Sequence, residues 1–197
     1  MKRKAQAGIT IPEIIIVVVV LGILVLLALP AITGTMDGDG HIVRTISNMK
    51  QLNLATQQMA LDGRTIGDTN LGWPGDTGGS FSRWASNAAS GGYVSTNDLC
   101  KLLSAAGRLT PQGSLPLTNN NAVLVYAVKD KSPYSAVFLT TANFTNTPTG
   151  GLPPTADSKP FGNKAFVVFR KGGDGAILTA KQAGYTNLVG TYVPLCK

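Results

Sequence analysis

Histidine is almost missing from this chain: His41 stands alone among 197 residues. That excludes any mechanism needing two imidazoles, multi-His zinc sites and the HExxH metalloprotease pattern included. Two cysteines exclude a four-cysteine zinc site as well. Charge is also scarce, at 14% of residues against the roughly 25% usual in soluble domains. No phosphate-cradling glycine loop, GxSxG elbow or pair of catalytic carboxylates is present, so enzyme is the function class the sequence supports least. Apolar residues, by contrast, make up 44%, and they are concentrated in one place.

From Ile14 to Met36 there is no charged residue, and Ile14–Leu29 reads IIIVVVVLGILVLLAL. As a helix the uncharged stretch spans about 35 Å, enough for a bilayer core of about 30 Å. Lys2, Arg3 and Lys4 precede it and no comparable cluster follows, so the positive-inside rule predicts a cytoplasmic N-terminus and an extracytoplasmic remainder. Three readings of the segment are open: a cleaved secretory peptide, a plain signal anchor, and a helix used for assembly. A secretory peptide has a shorter apolar region and a small-x-small cut site, which Leu29-Pro30-Ala31 fits poorly. Glu13 stands at the head of the run, where a carboxylate also favours the positive end of a helix dipole.

The stretch Ala7-Gly8-Ile9-Thr10-Ile11-Pro12-Glu13 and the run behind it resemble the N-terminal signal of type IV pilins and type II secretion pseudopilins. That signal has a short basic leader, a Gly before the cut, an apolar residue after it and a Glu five residues into the mature chain. Gly22 and Pro30 also fall where the family commonly carries Gly and Pro, whereas Pro12 and Ile9 depart from its usual aliphatic residue and Phe. Pro is tolerated in a first helical turn because its missing N–H has no intrahelical partner there. The likeness covers only residues 1 to about 32.

The resemblance implies cleavage between Gly8 and Ile9 by a prepilin peptidase and N-methylation of Ile9. Glu13 would face the new amine of Ile9 in a neighbouring subunit, since a buried unpaired charge is costly. Pro30 would kink the helix or mark the end of the membrane span. The partners implied are further copies of the chain in a helical filament, other minor pilins, inner-membrane assembly machinery and the membrane itself. The implied function is a structural pseudopilus subunit for type II secretion, single-pass in the inner membrane with its head in the periplasm. Two alternatives stay open: a type IV pilus or competence pilin, and a signal-anchored periplasmic protein that does not polymerise. A sequence pI near 9.6 motivates the DNA-carrying version, but Lys and Arg are scattered, so nucleic acid is not an expected partner.

The organisation expected is a leader at 1–8, a membrane and assembly helix at 9–36, the second half of a stem helix at 37–61 and an α+β head at 62–197. The two glycines in Met36-Asp37-Gly38-Asp39-Gly40 predict a break or frayed turn, each costing about 1 kcal/mol in a helix interior. His41 fills the third ligand slot of that acidic stretch and spoils it as a metal loop. From His41 to Leu61 two apolar stripes recur at helical spacing, Ile42, Ile46, Met49 and Met59 on one and Val43, Leu54 and Leu61 on the other. Two stripes imply two partners, the protein's own sheet and neighbouring subunits, or else one broad core-facing arc.

Residues 62–94 read as a long loop with a short helix around Phe81–Ala89, tied down by Trp73 and Trp84. Ser95-Thr96-Asn97-Asp98 predicts a cap for a helix over Leu99–Ala106, stopped by Gly107. Beyond Pro111, strands are predicted at Ala122–Lys129, Ser135–Thr141, Lys164–Lys171, Ala176–Thr179 and Leu188–Tyr192, with a turn at Gly172-Gly173-Asp174-Gly175. The fold expected is therefore α+β and pilin-like, a long N-terminal helix, membrane-spanning in its first half, on an antiparallel sheet. On the side the charge rule assigns to the periplasm, thiols oxidise, and a Cys100–Cys196 disulfide is expected. No cofactor is expected; some pseudopilins bind calcium near the C-terminal end, but Asp174 is a lone carboxylate for an ion that takes about 6–8 oxygens.

Overall fold

The computed structural model describes residues 39–197. Helix α1 spans Asp39–Ile66, 28 residues or about 42 Å of rise. Both Asp39 and Gly40 belong to it, so the turn expected to fray there is helical where it is described, and the helix runs five residues past Leu61. The two buried threonines of α1 are satisfied locally. Thr45 and Thr56 hydroxyls donate to the carbonyls of His41 and Leu52, both at 2.8 Å, one turn back.

After α1 the chain makes α2 (Phe81–Ser90) and α3 (Thr96–Leu102). Ser80 and Ser95 cap these helices, each hydroxyl accepting from the backbone N–H three residues on. Helix α3 stops sooner than expected, with Leu103 as its C-cap, and Gly107 turns a small loop in which Ala105 and Arg108 bridge, rather than ending the helix. Trp73 and Trp84 both set their rings edge-on to Phe138, at 5.2 and 6.4 Å between centroids, and so tie the 62–94 excursion to the sheet.

The sheet has four strands, β1 (Val123–Val125), β2 (Val137–Thr141), β3 (Phe166–Arg170) and β4 (Gly175–Leu178), each antiparallel to its neighbour in chain order. Every residue of β2 is buried and β3 is buried up to Arg170, as befits central strands covered on both sides. Helix α1 packs across β3 and β4. Contact is close enough at Gly175 that a Cβ there would press on the Phe169 ring at 2.9 Å and on Ile46 of α1 at 3.3 Å. The β3–β4 turn is the expected hairpin, closed by Arg170 N–H to the Asp174 carbonyl at 2.9 Å, with Gly173 at φ +92.

The fifth expected strand, Leu188–Tyr192, is not one. A short helix α4 (Thr186–Val189) takes up its first two residues, and Gly190 then adopts φ +118 against the Ser135 carbonyl. Only Thr191 reaches the sheet, as a single parallel bridge to Ala136. The β-branched composition suited a strand, but the glycine geometry breaks the ladder after one pairing.

The expected disulfide is absent. Cys100 and Cys196 are both free and buried. Cys100 sits inside α3, where its Sγ donates to the Ser114 carbonyl at 3.4 Å. The C-terminal tail is held by backbone hydrogen bonds instead: Cys196 N–H to Val125, Ala127 N–H to Pro194, Lys197 N–H to Gly79 and Phe81 N–H to Lys197, all between 2.8 and 3.0 Å. The two thiols are packed as small apolar groups. Burial pushes the Cys196 thiol up to about 12 and raises that of Cys100.

The membrane-spanning half of the expected fold is corrected too. Among the described residues, no helix is long and apolar enough to cross a membrane. The segment that carried the expectation, residues 9–36, lies outside the described residues, as do Gly8, Ile9, Glu13 and Pro30. The architecture supported is a long helix packed on a four-stranded antiparallel sheet. The inner-membrane placement and the filament assembly through an N-terminal membrane helix both rested on that span, and no helix among the described residues supplies it.

Candidate interaction face on the long helix

Helix α1 is apolar on two sides. Toward the sheet it turns Ile42, Met49, Leu52 and Met59, none more than 8% exposed. Leu52 extends the inner stripe read from spacing, because the core reaches about 100° around the helix. The opposite side carries Val43, Leu54 and Leu61, at 61%, 54% and 51% exposed. At 100° per residue these three positions fall within about 20° of one line, and they run about 27 Å along the axis. The two stripes of the sequence are therefore two surfaces, one covered and one open, and not a single broad arc.

Why the inner face is fixed can be read from its polar members. The Asn53 amide donates to the Lys171 carbonyl at 3.4 Å, and Gln57 supports it by donating to Asn53 Oδ1 at 2.7 Å. Lys171 is itself 7% exposed. Its ammonium donates to the carbonyls of Asp130 and Ser132 and lies 5.4 Å from the centre of the Trp73 ring and 5.8 Å from that of Tyr134. Two carbonyls and two ring faces thus stand in for a carboxylate partner. Rotation of α1 that covered the outer stripe would break this polar set. The open face carries Lys50 and Gln58, both exposed, between its apolar residues.

The site residues expected from sequence are not brought together. Gly8, Ile9, Glu13 and Pro30 lie outside the described residues. Cys100 and Cys196 are separate thiols. Asp174, the weak calcium candidate, gives its carboxylate to the Arg170 guanidinium in the β3–β4 turn. Among the described residues no group of three His, Cys, Asp or Glu is placed to hold a metal ion. A cavity of about 650 Å³ opens beside the first turns of α1, where His41, Arg44 and Lys101 line it without a carboxylate.

Comparison with known proteins gives one partial likeness. Over 73 residues the chain is 32% identical to the type IV major fimbrial protein FimA of Dichelobacter nodosus. The match takes in 37% of this chain and 46% of that protein, so it spans about half the relative's length. No family model matches the chain, and no solved structure matches it. What stands is a weak, partial homology to a type IV fimbrial protein, at family level, together with a pilin-like helix-and-sheet fold.

Proposed function

We propose that this chain is a non-enzymatic structural subunit of a pilin-like assembly, in which the outer face of α1 meets a second copy. The observation that carries the reading is the line of Val43, Leu54 and Leu61, half or more exposed along a helix whose other side is locked onto the sheet. Scattered exposed apolar residues are ordinary, but three on one line along five turns form a seam of the kind helices use to pack on one another. The fimbrial relative supports a repeated copy over an unrelated partner as the occupant. A leader cut between Gly8 and Ile9 belongs to the same reading, supported by the likeness of Ala7–Glu13 to the pilin signal.

The test is a photo-reactive amino acid placed at Leu54 in the intact chain within producing cells. Adducts at twice the subunit mass, lost when Val43 and Leu61 are changed to Asp, are the expected outcome. An adduct to a different protein, or no adduct from a chain whose folding is verified by its circular dichroism, overturns it.

A further inference from the structure

We propose that a groove between the β2–β3 loop and the C-terminal segment binds a neutral saccharide. The inference goes beyond the subunit reading and does not depend on it. The groove encloses about 410 Å³ and is walled by Asn146–Gly151 on one side and Thr186–Tyr192 on the other, with Ser135 and Arg170 at its base. That volume lies in the range of small-ligand sites.

Asn146 is the side chain that points to a ligand. It is 9% exposed, it forms part of the wall, and its Nδ2 has no hydrogen-bond partner. A buried amide left unpaired costs about 1–3 kcal/mol, and because Nδ2 is itself sealed from solvent, a ligand hydroxyl relieves that cost by drawing the Asn146 side chain into the groove.

The charge in the groove then narrows the ligand class. Arg170 is the one charged side chain in the wall, and its charge is paired: Nε donates to the Val189 carbonyl at 3.1 Å, one terminal nitrogen to the Asp174 carboxylate and the other to the Leu188 carbonyl. An anion finds no free cation there. A cation finds no carboxylate in the wall.

What the wall does offer is neutral and two-way. Ser135 and Thr191 hydroxyls bond each other at 2.8 Å and keep lone pairs to spare, and Thr186 and Asn187 bring a further hydroxyl and amide. Tyr192, 38% exposed, adds a flat apolar ring with a polar tip. Groups that both donate and accept, beside one aromatic face, match the alternating hydroxyls and C–H faces of a sugar ring. They match an apolar ligand or an extended peptide less well, because the sheet ladder beside the groove is already paired.

The groove is also preformed. Thr191 N–H donates to the Ser135 carbonyl at 2.8 Å, Val137 N–H to Thr191 at 3.0 Å and Gly151 N–H to Ala183 at 3.0 Å, so backbone bonds hold both walls. A Cβ at Gly190 would collide with the Ser135 carbonyl oxygen, and one at Gly151 with the Phe144 ring, which fixes both bends as glycine. Little ordering is then left to oppose binding.

The experiment is an NMR titration of the full isotope-labelled chain with lactose, maltose and N,N′-diacetylchitobiose, and with sodium sulfate as the anion arm. The result expected is saturable millimolar binding of at least one disaccharide, with shifts confined to Asn146–Gly151 and Thr186–Tyr192. Tyr192→Ala and Asn187→Ala, both at the groove surface, each weaken it on the order of tenfold while the remaining spectrum keeps its dispersion. Saturation by sulfate alone, no shift with any disaccharide at tens of millimolar, or binding that both variants leave unchanged overturns the proposal.

Discussion

The two faces of α1 have the same kind of residue and opposite fates. Met49, Leu52 and Met59 are sealed against β3, β4 and the core, while Val43, Leu54 and Leu61 stand in solvent one half-turn away. Hydrophobicity alone did not decide which stripe turned inward. The inner one is accompanied by Thr45, Asn53 and Thr56, small or amide side chains whose polar atoms find carbonyls within reach. The outer one is accompanied by Lys50 and Gln58, which would be costly to bury without partners. Polar neighbours thus select the buried face, and the apolar residues on the other side stay exposed.

The widest gap between the faces is expected on truncation. Met59→Ala empties a fully buried position and should cost about 2–5 kcal/mol, read as a fall in the urea midpoint at constant slope. Leu54→Ala should stay within about 0.5 kcal/mol. Equal losses from the two would mean that both stripes belong to one core and would break the comparison.

Lys171 sharpens it from the polar side, because Asn53 and Gln57 of the inner face both reach its carbonyl, at 3.4 and 3.5 Å. Lys171→Met keeps the length of the stem but strips the Asp130 and Ser132 carbonyls of their donor and the Trp73 ring of its cation. A loss of about 1–3 kcal/mol is expected in chemical denaturation. No loss would mean that the ammonium is merely tolerated, and that apolar packing alone fixes which face is inside.

Lys171 is also the clearest example of what the sequence could not disclose. Its burial depends on two carbonyls about forty residues earlier and on rings from Trp73 and Tyr134, a meeting that no local spacing encodes. Local signals fared better. The Ser95 and Asp98 cap, the Gly172–Gly175 hairpin and the 3–4 spacing of Ile42, Ile46 and Met49 each act within a few residues, and each is present in the structure. Leu188–Tyr192 misled because a β-branched run reads the same whether or not Gly190 turns the chain out of the ladder. The cysteines misled for a related reason: the charge rule speaks of the compartment, while pairing depends on geometry that separations along the chain do not contain. Asn146 gave no signal at all, since an orphaned amide exists only once its surroundings are folded.

The tail offers a third contrast, covalent tie against backbone tie, and it is silent at neutral pH. Burial lifts the Cys196 thiol from 9.0 to about 12, so the folded chain holds that proton more tightly than the unfolded one. The contribution to stability is therefore complete below about pH 8 and is lost as pH rises from 9.0 toward 12. A falling urea midpoint across that window, flattened by Cys196→Ala, is the expected pattern. Tyr126, also raised by burial, titrates in the same direction, and the cysteine variant separates the two. An unchanged alkaline slope in the variant would mean that Cys196 is not shielded and that the tail opens locally. Rapid alkylation of the native protein at pH 8 would say the same.

The smallest effect on the isolated chain is expected on the open face, and there it matters most that the effect be small. Leu54→Gln exchanges two residues of similar helix propensity at a position 54% exposed, so the urea midpoint should move by less than about 0.5 kcal/mol. Self-association, followed by sedimentation velocity of the intact chain, should weaken far more. Burying a leucine between two copies contributes about 1.5–3 kcal/mol, which corresponds to roughly tenfold or more in the association constant. A variant that loses stability and association together would place Leu54 in the fold; one that loses neither would leave the outer stripe without a partner. Only the split outcome, an unchanged fold and a weakened pair, makes the two faces of α1 a division of labour between folding and assembly.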